Sequence, residues 1–100
     1  MKIEKQVEGQ NIVLRIEGRV DTTTSPQLQS EITSAFQRGN CVVLDFAGVE
    51  YISSAGLRAL LIGHKMAISK DGYMKIVHVP EVVEEVLSIT GFSKMLMIED

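Results

Sequence analysis

The spacing of hydrophobic positions changes along this chain, and the changes mark out its elements. Residues 2–8 are polar with two apolar insertions, Ile3 and Val7, a pattern suited to an edge strand. Gly9-Gln10-Asn11 reads as a turn. From Ile12 to Glu17 the residues alternate, with Ile12, Leu14 and Ile16 on one face, which predicts a strand covered on one side and paired with the first. Gly18-Arg-Val-Asp21 ends that strand, and Thr22, Thr23, Thr24 and Ser25 suit a loop.

Ser25-Pro26 predicts a helix start, with Ser25 as N-cap and Pro26 at the first helical position. Leu28, Ile32, Ala35 and Phe36 follow at helical spacing, and Gly39 stands where a left-handed cap is expected. Cys41 to Phe46 is an apolar run broken once by Asp45, predicted as a strand buried on both faces and parallel to a neighbour. Gly48 is expected to turn the chain. Tyr51-Ile52 lead into Ser53-Ser54, and Leu57, Leu60, Leu61, His64, Ala67 and Ile68 mark a second helix, stopped at Asp71-Gly72. Met74 to Val79 reads as a strand ended by Pro80. Glu81 to Ile89 reads as a helix with acids in its first turn, where the helix dipole favours them, closed by Gly91. Met95 to Ile98 completes the pattern as a last strand.

The order β-β-α-β-α-β-α-β predicts an α/β fold: one domain over residues 1–100, with a mixed, mostly parallel sheet of about five strands and helices packed on it. Composition agrees. Of the 100 residues 45% are hydrophobic, with two Tyr, three Phe and no Trp, so the core must be mainly aliphatic. A net charge of −3 offers no clustered basic face for nucleic acid and no basic attraction to anionic lipid. The first residues have no apolar h-region, no apolar run approaches a membrane span, and a single cysteine, Cys41, makes no internal disulfide. These features lead to an expectation of a cytoplasmic protein acting without membrane or nucleic acid.

The segment with chemical interest is Ser53-Ser54-Ala55-Gly56. A hydroxyl between a buried strand and a helix start sits beside unpaired backbone N–H groups and the positive end of the helix dipole, an environment that favours phosphate. Small neighbours at Ala55 and Gly56 are expected to leave room for a partner's active site. From spacing alone, a plain N-cap role for Ser53 or Ser54 is the commoner one. A hydrolase nucleophile needs G-x-S-x-G, and Ile52 stands where the first Gly belongs. His64 and His78 have no evident orienting acid for a triad. Cys41, His64 and His78 lack metal-ligand spacing, and no phosphate-cradling G-x-x-x-x-G-K-[ST] loop occurs. The chain is therefore expected to be no enzyme and to hold no cofactor; a nucleotide used at Ser54 must come with another protein. Asp21 either caps the Thr22–Ser25 turn through an Asx-type bond or lies near Ser54 as part of one surface.

Four segments in order carry a resemblance along the whole chain: Gly18-Arg-Val-Asp21, Val43-Leu-Asp-Phe-Ala-Gly-Val-Glu-Tyr-Ile52, Ser54-Ala-Gly-Leu57 and Leu87-Ser-Ile-Thr-Gly-Phe92. The sequence resembles the STAS domain, specifically the stand-alone bacterial anti-sigma factor antagonists. The resemblance implies a phosphoacceptor serine in a D-S-[SA]-G-L motif, which falls on Ser54, with Ser53 in the place of the family's Asp. It implies a partner-binding surface of Asp21, Thr22, Thr23, Ser53, Ala55, Gly56, Leu57 and Arg58. It also implies a partner, an anti-sigma factor serine kinase that binds the ATP, and a serine phosphatase to reverse the modification. The unphosphorylated form would bind the anti-sigma factor and free the sigma factor, as a monomer or weak dimer. Two other roles suit the same fold: an accessory subunit of a lipid or anion transport system, and a small-ligand or nucleotide sensor.

Overall fold

In the computed structural model, which describes residues 1–99, the first two segments form a hairpin. β1 (Lys2–Glu8) runs antiparallel to β2 (Asn11–Val20), with Ile3 beside Ile16 and Val7 beside Ile12. Gly9 makes the reversal at φ 63°, a left-handed conformation that glycine adopts without a Cβ penalty. There follow α1 (Ser25–Arg38), β3 (Cys41–Ile52), α2 (Ser54–Ser69), β4 (Tyr73–Val77), α3 (Glu81–Thr90), α4 (Phe92–Met95) and β5 (Met97–Glu99). The strands lie in the order β1-β2-β3-β4-β5, and every pair after the hairpin is parallel. This is the expected mixed five-stranded α/β domain with one helical turn, α4, added.

The core lies on one face of the sheet. Ile12, Leu14, Ile16 and Val20 of β2 and Val42, Leu44 and Phe46 of β3 meet residues of α1, α2 and α3 in one cluster. Leu28, Ile32, Ala35 and Phe36, the helical repeat noted in α1, are all buried. Leu28, Ile32 and Phe36 each contribute about 1.5–3 kcal/mol when fully buried, so the apolar stripe and not intrinsic propensity holds α1 in place. The other face of the sheet is more polar, yet the expected burial of β3 on both sides holds at Val42, Val43 and Leu44, with Cys41 and Asp45 half-buried. There Val43, 8% exposed, sits in register between Val13 and Lys75. Asp45 on this face lies 3.8 Å from Arg15 and 3.2 Å from His78 Nδ1.

Several boundaries differ from the sequence pattern, each for a local reason. β2 and β3 run on to Val20 and Ile52, and Gly48 stays within β3 instead of turning the chain. Register shifts between Arg15 and Glu17 and between Gly18 and Arg19 each place one extra residue in β3, a bulge that breaks the period-2 signal. Asp45 Oδ1 accepts the Ala47 N–H at 3.0 Å within the first of these. Thr24, not Ser25, holds the cap position of α1, and the Ser25 hydroxyl donates to the Asp21 carbonyl at 2.5 Å. Gly39 is extended at φ −165°, not left-handed, while Gly91 at φ 84° closes α3 as expected. The chain after Gly91 coils once more, with Leu96 N–H donating to Phe92 O at 2.9 Å. Met95 therefore belongs to α4, and among the described residues β5 covers Met97–Glu99.

Candidate functional site

Two neighbouring strand ends build the site. Val20 and Ile52 are the last register pair of β2 and β3, and the Ser53 N–H donates to the Val20 carbonyl at 2.8 Å. From this junction one chain enters the Asp21 turn and the other enters α2. Asp21 and Ser53 therefore directly follow adjacent strand ends at the same end of the sheet, with Ser54 one residue further along.

The Asp21 turn is closed by its own residues. Asp21 Oδ1 accepts the N–H groups of Thr23 at 3.0 Å and Thr24 at 3.1 Å. The Thr24 hydroxyl donates to Arg19 O at 2.8 Å and accepts the Asp21 N–H at 2.9 Å. The Asx-type cap is therefore present. The Thr24 backbone N–H above all, helped by the Thr24 hydroxyl, the Thr23 N–H and Arg19, holds the Asp21 carboxyl below its usual range. Asp21 is thus a fixed negative charge at neutral pH. Thr22 and Thr23 are exposed at the tip.

At the start of α2 the two serines divide the labour. Ser53 is the N-cap, at φ −98° and ψ 176°, with its Oγ accepting the Gly56 N–H at 3.4 Å. Ser54 is the first helical residue; it is exposed, and no hydrogen bond ties its side chain to another described residue. The capping role suggested for either serine thus falls to Ser53, and Ser54 keeps a free hydroxyl at the positive end of a 16-residue helix with no acid in its first turn.

A family model for the STAS domain matches residues 2–100. The chain belongs to the STAS domain family. Over its full length it is 28% identical to the anti-sigma F factor antagonist of Paenibacillus polymyxa, across 102 residues and 87% of that protein. It is 33% identical to BtrV of Bordetella bronchiseptica, named as an anti-sigma factor antagonist, over 81% of this chain and 71% of that one. Among solved structures, a Thermotoga maritima protein described as an anti-sigma factor antagonist superposes with a TM-score of 0.91 at 22% identity, covering 98% of this chain and 86% of the other. The Bacillus cell fate determinant SpoIIAA in its phosphorylated form superposes at 0.75 with 18% identity, covering 99% and 92%.

Within this STAS domain, the residues after Ser54 divide between surface and core. Ala55 is half-buried and Arg58 is exposed, whereas Gly56 and Leu57 turn inward. Gly56 does not hold space open for a partner. A Cβ there would stand 2.7 Å from Ile52 Cγ1, 2.8 Å from Val20 Cγ1 and 3.2 Å from Val20 O. The glycine lets the helix start rest directly on the strand ends. Gly56→Ala is expected to cost about 1–3 kcal/mol by overpacking, read as a lower urea midpoint at unchanged m-value. Amide shift changes should centre on residues 20–21 and 53–57.

Sequence reasoning missed two members of this edge. Arg19 and Tyr51 are register partners, and the Arg19 guanidinium lies 4.2 Å from the centre of the Tyr51 ring. It also missed an acid for His78: Asp45, brought within 3.2 Å by the β3–β4 register. That pair lies below the bulges of β3, on the order of 15–20 Å along the strand from Ser54, and forms no triad with it. Among the described residues no group of three or more His, Cys, Asp or Glu is placed to hold a metal ion. No helix among them is long and apolar enough to cross a membrane.

Proposed function

We propose that this STAS domain is an anti-sigma factor antagonist whose Ser54 is the phosphoacceptor, modified by an anti-sigma factor that is itself a serine kinase and carries the ATP. The observation that carries this reading is the division of the two serines: Ser53 is occupied as the cap, while Ser54 is exposed, unengaged and aimed outward from the helix start. The names of the two relatives support the choice of partner. The solution of SpoIIAA in both unphosphorylated and phosphorylated forms supports the choice of chemistry.

The mechanism follows from charge. A phosphoserine brings about −1.5 to −2 charges at neutral pH. The free N–H groups at the helix start accommodate it, so the domain keeps its fold. The interface does not tolerate it: the phosphate stands at the same end of the sheet as the Asp21 carboxylate, and a partner packed there meets new like charge and bulk. Unphosphorylated, the domain binds the anti-sigma factor and frees the sigma factor; phosphorylated, it lets go; a serine phosphatase resets it.

The test is incubation with candidate anti-sigma factor kinases and ATP, followed by mass-spectrometric mapping. One phosphate on Ser54 is the expected outcome. Modification at Ser53, or none with any candidate, overturns the reading.

A further inference from the structure

β3 carries an extra residue, Glu50, between the register pairs Gly18–Val49 and Arg19–Tyr51. In an unbroken ladder Arg19 would face Glu50, a ready ion pair, and Tyr51 would take the place beside Val20, towards the core. The bulge reverses this. Ile52 occupies the buried position beside Val20, and Tyr51 is left 39% exposed under the Arg19 guanidinium. Arg19 Nε lies 3.8 Å from Asp21 Oδ2, with the Arg19 side chain 60% exposed. A stack and an ion pair this open to water add little to folding. Folding therefore does not explain why a tyrosine is turned outward here.

The location offers a reason. Of the other exposed large apolar side chains, Ile68, Val82, Ile89 and Met95 lie on helices, and Val7 and Met97 lie on the outermost strands β1 and β5; Tyr51 stands at the end of the inner strand β3, which leads into Ser53 and Ser54. Tyr and Arg are the side chains that most often dominate interface energetics. Held against each other and against Asp21, they lose less freedom on docking than two independent side chains would. We infer that Arg19 and Tyr51 form an anchor for the anti-sigma factor, the ring taking an aliphatic side chain of the partner and the guanidinium a neighbouring carboxylate. The inference rests on the reading of this edge as the partner interface and adds to it the residues that set affinity.

The test uses the full chain and the anti-sigma factor kinase that phosphorylates it. Calorimetric Kd, thermal midpoint and phosphotransfer kinetics are measured for Tyr51→Ala, Tyr51→Phe, Arg19→Ala and the Arg19→Ala/Tyr51→Ala pair, with Ser54→Asp alongside. Tyr51→Ala should weaken binding at least about tenfold and Tyr51→Phe by no more than about threefold. The double variant should lose less than the product of the single losses, because the two side chains act as a unit. In phosphotransfer the KM for this chain should rise with kcat retained; a merely structural role would lower the midpoint and reduce the active fraction instead. If Tyr51→Ala melts early, Arg19→Glu decides, since reversing this exposed charge should also weaken binding about tenfold. Binding of Tyr51→Ala within about twofold of the unaltered chain, while Ser54→Asp fails to bind, overturns the anchor and leaves the switch standing. Normal binding by Ser54→Asp removes the switch, and with it the anchor.

Discussion

Ser54→Asp should weaken binding to the anti-sigma factor by about a hundredfold, since like charge brought into a close interface costs several kcal/mol. Ser54→Ala should stay within about fivefold of the unaltered chain, because it removes only one hydroxyl oxygen, and it should take no phosphate. The same Asp should not harm the fold. Ser54 is exposed and its hydroxyl is unengaged, while a carboxylate at the first position of α2 gains about 0.3–1 kcal/mol from the helix dipole. The thermal midpoint should therefore hold or rise while affinity collapses. Opposite movement of the two readouts separates a local electrostatic block from unfolding. Raising the salt should recover part of the lost affinity, since exposed charges are screened. Phosphate, with nearly twice the charge of Asp, should exceed the Asp effect. Equal binding by the Ala and Asp variants would sink the phosphoswitch.

The order of elements was legible because each core-facing segment kept its own period: Ile12, Leu14 and Ile16 alternate, and Leu28, Ile32, Ala35 and Phe36 recur at helical spacing. The period fails where backbone irregularity intervenes. The two bulges of β3 shift its phase, which made Gly48 resemble a turn and concealed that Tyr51 would stand beside Arg19. α4 is too short to show any period. At the site, motif matching placed the acceptor on Ser54, but spacing alone could not say which serine capped the helix. That depends on the extended backbone of Ser53 and its bond to Gly56. Gly56 itself looked like free space in the sequence, because its neighbours, Val20 and Ile52, meet it only once two strands and a helix have come together.

The same three-dimensional origin makes Gly72 the position where one methyl group should do most harm to stability. A Cβ at Gly72 would lie 1.7 Å from Asn40 O and 2.6 Å from Asn40 C. These are backbone atoms, and they are already committed: the Tyr73 N–H donates to Asn40 O at 2.9 Å, and the Gly72 N–H donates to Ala67 O at 2.9 Å. No rotamer relieves the clash, so the corner between α2 and β4 must part from the start of β3. Overpacking of this kind costs about 3 kcal/mol or more, which at about 4–8 °C per kcal/mol for a domain of this size lowers the thermal midpoint by about 12–24 °C. Gly63 is the control. A Cβ there meets chiefly the Sδ of Met74 at 2.6 Å and Ile32 Cγ2 at 2.9 Å. The methionine end is flexible and alanine gains about 0.5–1 kcal/mol over glycine inside a helix, but Ile32 Cγ2 hangs on a stiff β-branched carbon, so Gly63→Ala should be destabilising by clearly less than Gly72→Ala. Gly72 lies at the end where β3 and β4 begin, Cys41 beside Tyr73, whereas Ser54 follows the end where β3 finishes. Below its melting point Gly72→Ala should therefore be phosphorylated with an unchanged KM. Gly56→Ala, with the smaller stability loss, should slow phosphorylation at temperatures where it is fully folded, because it moves the helix start that presents Ser54. If both variants lose phosphorylation only in proportion to their unfolded fraction, the seating of α2 on Val20 and Ile52 does not position the acceptor.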